Sequence, residues 1–145
     1  RIGRNGDLFA MPKFRTMYIE TPVQATDQMG DPSQYITPIG TVLRKLSFDE
    51  LPQLWCIFTG SMSLVGPRPA LKSQTKLIAL RQKRGVNLLK PGLTGLAQIN
   101  GRDFLTDCQK VGFDKHYLEQ QSLWLDFSIL LQTLPLLLSR RGIMH

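Results

Sequence analysis

The sequence predicts a single α+β domain that is mostly helical and contains a few short strands. Its 145 residues are the length of one domain and are enough to bury a core. Two neighbouring stretches carry apolar residues at positions i, i+3, i+4 and i+7, which is the pattern of one helix face. Short segments flanked by glycine and proline precede and follow these stretches, and such punctuation is typical of strands and turns.

The first predicted element is extended structure over residues 2–17, with a Gly-Asp turn at residues 6–7. Because successive strand side chains point to opposite sides, Lys13 and Arg15 should lie on one side and Phe14 on the other. The pattern alone fits either a phosphate-binding pair of cations or basic residues that protect the edge of a sheet.

A polar stretch at residues 18–35 shows no clear period and is predicted to be a long loop. A short helix should follow it, with Thr37 as the N-cap and Pro38 as the first helical residue. This helix is predicted to end in Arg44 and Lys45. Its apolar face consists of Ile39, Val42, Leu43 and Leu46.

The rest of the chain is organised around residues 44–69, where Asp49 and Glu50 fall in the first turn of a second predicted helix. If Ser47 is the N-cap, Glu50 completes a capping box; if a carboxylate caps the helix, Pro52 lies in the tolerant first turn. In both cases the helix dipole favours ionised carboxylates. The apolar face of this helix consists of Leu51, Leu54, Trp55 and Phe58.

Asp49 and Glu50 should point in different directions, since neighbouring residues differ by about 100° around a helix. One carboxylate can therefore attack a substrate while the other holds a metal ion. Carboxylates are also common at the start of ordinary helices, so the pair alone does not separate a catalytic role from a capping role.

An arginine downstream of the carboxylates lies on a stiff loop. Gly60 is predicted to stop the second helix, and an apolar pair then leads into Gly-Pro-Arg-Pro at residues 66–69. The prolines fix the backbone on either side of Arg68, and a planar guanidinium held in this way suits bidentate phosphate binding. The alternative is a solvated arginine in a surface turn.

The following segments add a basic helix and a glycine-rich loop. Residues 70–84 are predicted to be helical, with cations that fit either anionic lipid headgroups or a solvated face. Residues 90–102 contain glycines that let a backbone approach a ligand closely, although the P-loop pattern is absent from the sequence. Asp114 and Tyr117 lie one helical turn apart.

The last predicted helix is apolar almost all round, with Ser122 as its N-cap and Pro135 kinking or ending it. Its apolar run is too short to span a bilayer. The pattern fits a core helix, a partner interface, or a helix lying in the membrane interface with Trp124 at headgroup level.

Composition limits the classes of binding partner that the chain is expected to have. A formal net charge of +7 indicates a polyanionic partner, which is nucleic acid, an anionic membrane surface or a phosphorylated substrate. The two cysteines, Cys56 and Cys108, form neither a disulfide framework nor a zinc-binding pattern. The sequence also lacks helix-turn-helix and aromatic RNP signatures, which argues against a nucleic-acid-binding module.

Several long motifs occur in one order: KFRTM, LRKLSFDELPQL, SMSLVGPRP, KPGLTGLAQINGR, a D-x-x-Y segment and SLWLD. Together they resemble the bacterial sugar transferases that make polyprenyl-linked glycans, which are monotopic phosphoglycosyl transferases. The resemblance covers residues 8–138. It implies that residues 1–145 are the catalytic domain, and that an apolar helix entering the membrane precedes it in a longer chain.

The resemblance implies transfer of a sugar 1-phosphate from a UDP-sugar to polyprenyl (undecaprenyl) phosphate, with release of UMP. This is the first membrane step of exopolysaccharide, O-antigen or glycoprotein glycan assembly, at the cytoplasmic face of the bacterial inner membrane. Asp49 is then expected to be the nucleophile and Glu50 a ligand of Mg²⁺. Asp114 is a further catalytic candidate. The expected phosphate contacts are Arg44, Arg68, Lys13, Arg15 and Arg102.

The expected partners are the UDP-sugar, polyprenyl phosphate and an anionic membrane surface, but not nucleic acid. The sequence leaves open whether the chain forms a homo-oligomer. The rival interpretations are a basic membrane- or nucleic-acid-binding module without catalysis, and a catalytically silent scaffold of the same fold. Retention of Asp49, Glu50 and Arg68 argues against the silent scaffold.

Overall fold

The computed structural model describes residues 1–21, 32–101 and 104–139. These residues confirm a single, mostly helical α+β domain with two short strands. The helices are α1 (Pro38–Lys45), α2 (Leu54–Phe58), α3 (Thr75–Lys83), α4 (Leu96–Ile99), α5 (Asp107–Gln120) and α6 (Leu123–Ser139). The strands are β1 (Ser63–Val65) and β2 (Gly92–Thr94), and 3-10 turns occur at Arg4–Gly6, Pro32–Tyr35, Phe48–Gln53 and Val86–Leu88.

Helix ends agree with the sequence at Thr37, Gly60 and Ser122. Thr37 Oγ1 accepts a backbone N–H of α1 at 2.9 Å, and Pro38 is the first residue of that helix. Gly60 has a φ of +80° just beyond α2, a conformation that glycine adopts without strain. Ser122 Oγ accepts a backbone N–H of α6 at 3.2 Å. Helix α6 continues through Pro135 rather than ending there.

The two strands form a parallel pair in which Val65 lies opposite Thr94. The chain between them contains α3, which packs against α5. One buried cluster lies between these two helices, and a second joins β1 to α5 and α6. The first consists of Ala70, Leu77, Val86 and Val111, and the second of Val65, Tyr117 and Ile129.

The loop after β1 is packed backbone to backbone against β2. A Cβ atom added to Gly92 would lie 2.1 Å from the Gly66 nitrogen, and one added to Gly95 would lie 2.2 Å from the Gly66 oxygen. Only residues without a side chain fit at such distances. Gly92 and Gly95 therefore serve the contact between two protein segments, and not the approach to a ligand that the sequence predicted for this loop. Their packing fixes the segment that carries Arg68.

The predicted apolar helix faces are present, but many of their side chains are exposed to solvent. The four apolar residues predicted for the second helix are between 47% and 83% exposed, and the aromatic rings of Trp55 and Phe58 stack at 5.6 Å. On α6, Ile129 is fully buried, whereas Leu123 and Trp124 are exposed. Among the described residues, none of the helices combines the length and the apolar character needed to cross a bilayer.

Candidate active site

The two adjacent carboxylates lie on the 3-10 helix Phe48–Gln53 and not on a regular α-helix. Ser47 precedes it with a φ of +54°, in the left-handed region, and its side chain makes no capping hydrogen bond. Of the two arrangements that the sequence left open, the capping box with Ser47 is therefore wrong. The α-helix begins only at Leu54, after Pro52.

Four charged side chains meet at this 3-10 helix, and we call Lys13, Asp49, Glu50 and Arg68 the carboxylate cluster. Lys13 Nζ lies 2.7 Å from Glu50 Oε1 and 3.8 Å from Asp49 Oδ2. Arg68 Nη2 lies 3.3 Å from the same Glu50 oxygen. The carboxylate side chains are only 13% and 14% exposed, so the cations lie against partly desolvated charges.

Backbone contacts place these side chains. The Phe14 N–H donates to the Asp49 carbonyl at 3.0 Å, which fixes the segment of Lys13 beside the 3-10 helix. Arg68 enters from the proline-flanked loop after β1, as the sequence predicted. Three segments that are distant in sequence therefore supply the cluster, and Lys13, Asp49, Glu50 and Arg68 are brought together as predicted site residues.

The other predicted phosphate contacts have different positions. Arg44 Nε donates to Thr16 Oγ1 at 2.8 Å, so its side chain is held against the segment that follows Lys13. Arg15 instead lines a shallow depression on the surface, beside Tyr18. Arg102 lies outside the described residues.

Asp114 does not join the carboxylate cluster. Its side chain is 2% exposed, and Oδ2 lies 2.8 Å from Arg81 Nη2. Burial raises the pKa of the Asp114 carboxyl above its ordinary value, with the Arg81 charge acting in the opposite direction. Arg81 also donates from Nη1 to the Arg68 carbonyl at 2.8 Å. The structure thus links Asp114 to the site through Arg81 and not by direct contact with the carboxylates.

Sequence reasoning missed three side chains near the site. Burial, and next the charge of Arg68, lowers the pKa of the Arg1 guanidinium, so Arg1 belongs to the electrostatic surroundings of the cluster. Arg81 was predicted only as one cation of a basic helix. Gln98 lies in the motif at residues 90–102, but no role was predicted for it. The side-chain oxygen and nitrogen of Gln98 are buried and have no hydrogen-bond partner in the described part of the chain.

A cavity of about 510 Å³ connects the cluster to an apolar wall. Glu50 and Arg68 line it, together with Gln98. Seven of its lining residues are apolar side chains between 47% and 59% exposed, and we call them the apolar groove. The apolar groove consists of Phe48, Leu51, Leu54, Leu64, Phe127, Leu131 and Leu134.

The donor set at the cluster fits a magnesium ion that takes most of its ligands from elsewhere. The described residues contain no group of three or more His, Cys, Asp or Glu side chains able to hold a metal. Asp49 and Glu50 offer at most two carboxylates, and Mg²⁺ is usually bound by one or two carboxylates together with substrate phosphates and water. Glu50 is the residue of this pair that would hold the ion.

Paired carboxylates surrounded by cations, beside an apolar cavity, define a class of site suited to a ligand that is both phosphorylated and apolar. Comparison with known proteins agrees with this class. The family model described as "Bacterial sugar transferase" matches residues 1–140. The chain belongs to the bacterial sugar transferase family.

Individual relatives are similar over nearly all of this chain. It is 39% identical to the exopolysaccharide production protein ExoY of Sinorhizobium fredii, covering 98% of this chain and 69% of that protein. It is 38% identical to the UDP-galactose-lipid carrier transferase of Erwinia amylovora, covering 98% of this chain and 33% of the relative. It is 36% identical to the undecaprenyl-phosphate galactose phosphotransferase of Salmonella typhimurium, again covering 98% of this chain and 33% of the relative.

Proposed function

We propose that this chain transfers a sugar 1-phosphate from a UDP-sugar to undecaprenyl phosphate, giving a polyprenyl-diphospho-sugar and UMP. The observation that carries the proposal is the carboxylate cluster, in which Lys13 and Arg68 converge on Glu50 beside Asp49. The Erwinia and Salmonella relatives, a UDP-galactose-lipid carrier transferase and an undecaprenyl-phosphate galactose phosphotransferase, support the same class of reaction.

In the first step, an Asp49 carboxylate oxygen attacks the phosphorus that carries the sugar. The bond from this phosphorus to the bridging oxygen breaks, and UMP leaves with the electron pair. In the second step, an oxygen of undecaprenyl phosphate attacks the same phosphorus and the Asp49 carboxylate leaves. Splitting the transfer in this way avoids holding two anionic substrates together at once.

The cations of the cluster reduce repulsion between the nucleophile and its substrate. An anionic carboxylate and a diphosphate repel each other, and preorganised cations stabilise the charge that develops at the transferred phosphoryl group. Lys13 and Arg68 are within reach of Glu50, and they would bind phosphate oxygens beside it. Arg44, held by Thr16, is a further phosphate contact in this proposal.

Glu50 is the proposed magnesium ligand. When bound, Mg²⁺ neutralises phosphate oxygens and polarises the phosphorus that is attacked. Glu50 is one residue away from Asp49, so a cation held by Glu50 would lie beside the nucleophile without using the nucleophile's charge. The site fits Mg²⁺ because this ion is usually bound by one or two carboxylates together with phosphate oxygens of the substrate.

The apolar groove supports a lipid as the acceptor. It lines the same cavity as Glu50 and Arg68, so one ligand can place a phosphate at the cations and an isoprenoid chain along the groove. The exposed aromatic residues Trp55, Phe58 and Trp124 support seating at a membrane interface, as a monotopic protein at the cytoplasmic face of the inner membrane. Exopolysaccharide assembly is the pathway that the ExoY relative supports.

A panel of UDP-sugars tests the proposal. Each is incubated with the protein, Mg²⁺ and undecaprenyl phosphate in detergent or nanodiscs, and UMP release is measured. With one UDP-sugar, repeated release of UMP should require the lipid phosphate, and EDTA should stop the reaction until Mg²⁺ is restored. Absence of lipid-dependent UMP release across the panel would refute the proposed reaction. Undiminished turnover in EDTA would refute the magnesium role alone.

A further inference from the structure

We propose that Arg81 is a positioning residue for the phosphate-binding Arg68, and that Asp114 acts by orienting Arg81. This inference rests on the proposed function, because it gives Arg68 a phosphate to bind. It assigns Asp114 to the support of the site instead of to the chemistry. Neither Arg81 nor Asp114 needs to touch a substrate.

The guanidinium of Arg81 is planar and makes contacts on two sides. Its Nε and Nη2 atoms lie 3.0 Å and 2.8 Å from Asp114 Oδ2, and Nη1 donates to the Arg68 carbonyl at 2.8 Å. A guanidinium presents its donors in a fixed fork. The carboxylate on α5 therefore sets the orientation in which Arg81, on α3, reaches the loop of Arg68.

The hydrogen bond from Arg81 to the Arg68 carbonyl helps to fix the backbone from which the Arg68 side chain extends. The neighbouring Pro67 and Pro69 restrict the backbone, and the Gly92 N–H donates to the Pro67 carbonyl at 2.9 Å. Arg81 fixes the next carbonyl along the loop. With its backbone anchored on both sides, Arg68 extends a side chain whose Nη2 ends 3.3 Å from Glu50 Oε1.

Burial distinguishes this arrangement from an ordinary surface ion pair. The side chains of Asp114 and Arg81 are 2% and 11% exposed, and taking two charges out of water is costly unless their geometry is good. Stability alone is a weak reason to retain a buried ion pair, since apolar replacements are often as stable. A functional reason to retain the ion pair of Arg81 and Asp114 is that Arg81 holds the carbonyl of Arg68 in place.

The alternatives are a direct catalytic role for Asp114 and a purely structural ion pair. Arg81→Lys separates them, because lysine retains a positive charge for Asp114 but cannot reproduce the planar fork that also reaches the Arg68 carbonyl. Its matched control is Glu119→Gln, which removes the exposed ion pair of Lys115 and Glu119 on α5. Asp114 keeps its carboxylate in both variants.

The experiment is a double-mutant cycle on kcat/KM for the UDP-sugar, combining Arg81→Lys with Arg68→Lys. A misplaced binding group can cost about 100-fold, so Arg81→Lys should lower kcat/KM by about that factor when Arg68 is present. In the Arg68→Lys background the same change should cost little. Glu119→Gln should leave kcat/KM near the wild-type value. Wild-type activity in the same assay establishes the proposed reaction independently.

The proposal is overturned if Arg81→Lys has no effect, or if its cost is the same within about twofold in both backgrounds, as for independent sites. If Arg81→Lys fails to fold, Arg81→Gln combined with Asp114→Asn removes both charges together and enters the same cycle. If the wild type has no activity, the proposed function fails, and amide hydrogen exchange still tests the positioning. Exchange at Gly92 should then be faster in Arg81→Lys than in Glu119→Gln, and equal rates would overturn the proposal.

Discussion

Glu50 and Arg68 of the carboxylate cluster line the same cavity as the apolar groove, but the side chains of the cluster and the groove are held in opposite ways. In the cluster, charged atoms lie 2.7 to 3.8 Å from one another across three segments of the chain. In the groove, the seven apolar side chains are about half exposed and come from neighbouring helices and β1. The cluster is held by its own ion pairs, whereas the groove offers apolar surface that a ligand can cover.

This difference separates the two proposed substrates. The phosphates of a UDP-sugar need only the cluster, whereas a polyprenyl phosphate needs both the cluster and the groove. A change in the cluster should therefore stop both half-reactions, and a change in the groove should affect only the step that uses the lipid.

The largest expected effect comes from Glu50→Gln. The substitution retains the size of the side chain but removes the charge that Lys13 and Arg68 approach. Losing one preorganised electrostatic contact at a transition state typically costs about 100- to 1,000-fold, and we expect kcat to fall by at least that factor. Lys13 and Arg68 are 32% and 35% exposed and can be hydrated without their partner, so the free energy of unfolding should change by about 1 kcal/mol or less.

Steady-state UMP release and denaturant unfolding of the same preparation test this prediction. Glu119→Gln is the control for removal of a carboxylate charge elsewhere on the domain. Turnover above a tenth of the wild-type rate in Glu50→Gln would contradict a central role for the cluster. A collapse in stability would instead make Glu50 a structural residue.

A smaller and more selective effect is expected from Leu131→Gln in the groove. Burial of a leucine side chain contributes about 1.5 to 3 kcal/mol, so the KM for undecaprenyl phosphate should rise about 10- to 100-fold. The exchange of UMP into UDP-sugar, which needs no lipid, should be unchanged. The control is Leu88→Gln, because Leu88 is 55% exposed, close to the 52% of Leu131, and lies outside the groove.

Equal losses in exchange and in lipid-dependent turnover would remove the distinction between the cluster and the groove. An unchanged KM for undecaprenyl phosphate would show that the isoprenoid chain lies elsewhere. Both quantities are measured in the same detergent, so that lipid presentation does not differ between variants.

The smallest effect on activity is expected from Tyr117→Phe, which alters the buried cluster that joins β1 to α5 and α6. Tyr117 Oη donates to Asp126 Oδ1 at 2.7 Å. Burial, and next this hydrogen bond, raises the pKa of Tyr117 above its ordinary value of 10.0. The native state then keeps the proton that the unfolded state loses, so the stability from Tyr117 is complete below pH 10 and is lost progressively above it.

Unfolding by urea at pH values below and above 10 measures this dependence. Tyr117→Phe should be less stable at neutral pH by about 1.5 to 3 kcal/mol, the cost of a hydrogen bond to a charged acceptor. It should also show a smaller fall in stability as the solution becomes alkaline. An identical alkaline profile in the wild type and the variant would contradict the role of Tyr117 in this linkage.

The sequence predicted local features better than their surroundings. Thr37 and Ser122 were identified as N-caps because one side chain next to a helix start determines each contact. The apolar face of the second helix was also predicted, but periodicity cannot show what covers a face, and Trp55 and Phe58 are exposed. The glycines at residues 92 and 95 were misinterpreted because their partner, Gly66, is far away in sequence.

Prediction of the site from the sequence was limited in the same way, to features with a local signal. Asp49, Glu50, Arg68 and Lys13 were found through motifs, and the structure brings them together. The contact between Arg81 and Asp114 joins residues 33 positions apart, and neither helix carries a local signal for it. Asp114 was therefore predicted as a catalytic candidate, although its geometry indicates a supporting position.

The most direct test of the central claim is the exchange of labelled UMP into UDP-sugar in the absence of any lipid acceptor. If Asp49 takes the phospho-sugar first, the wild-type protein should catalyse this exchange, and mass spectrometry should locate a phospho-sugar adduct on Asp49. Asp49→Asn should lose both exchange and adduct while remaining folded. A wild-type protein that completes the full reaction with undecaprenyl phosphate but shows neither exchange nor adduct would contradict the covalent mechanism.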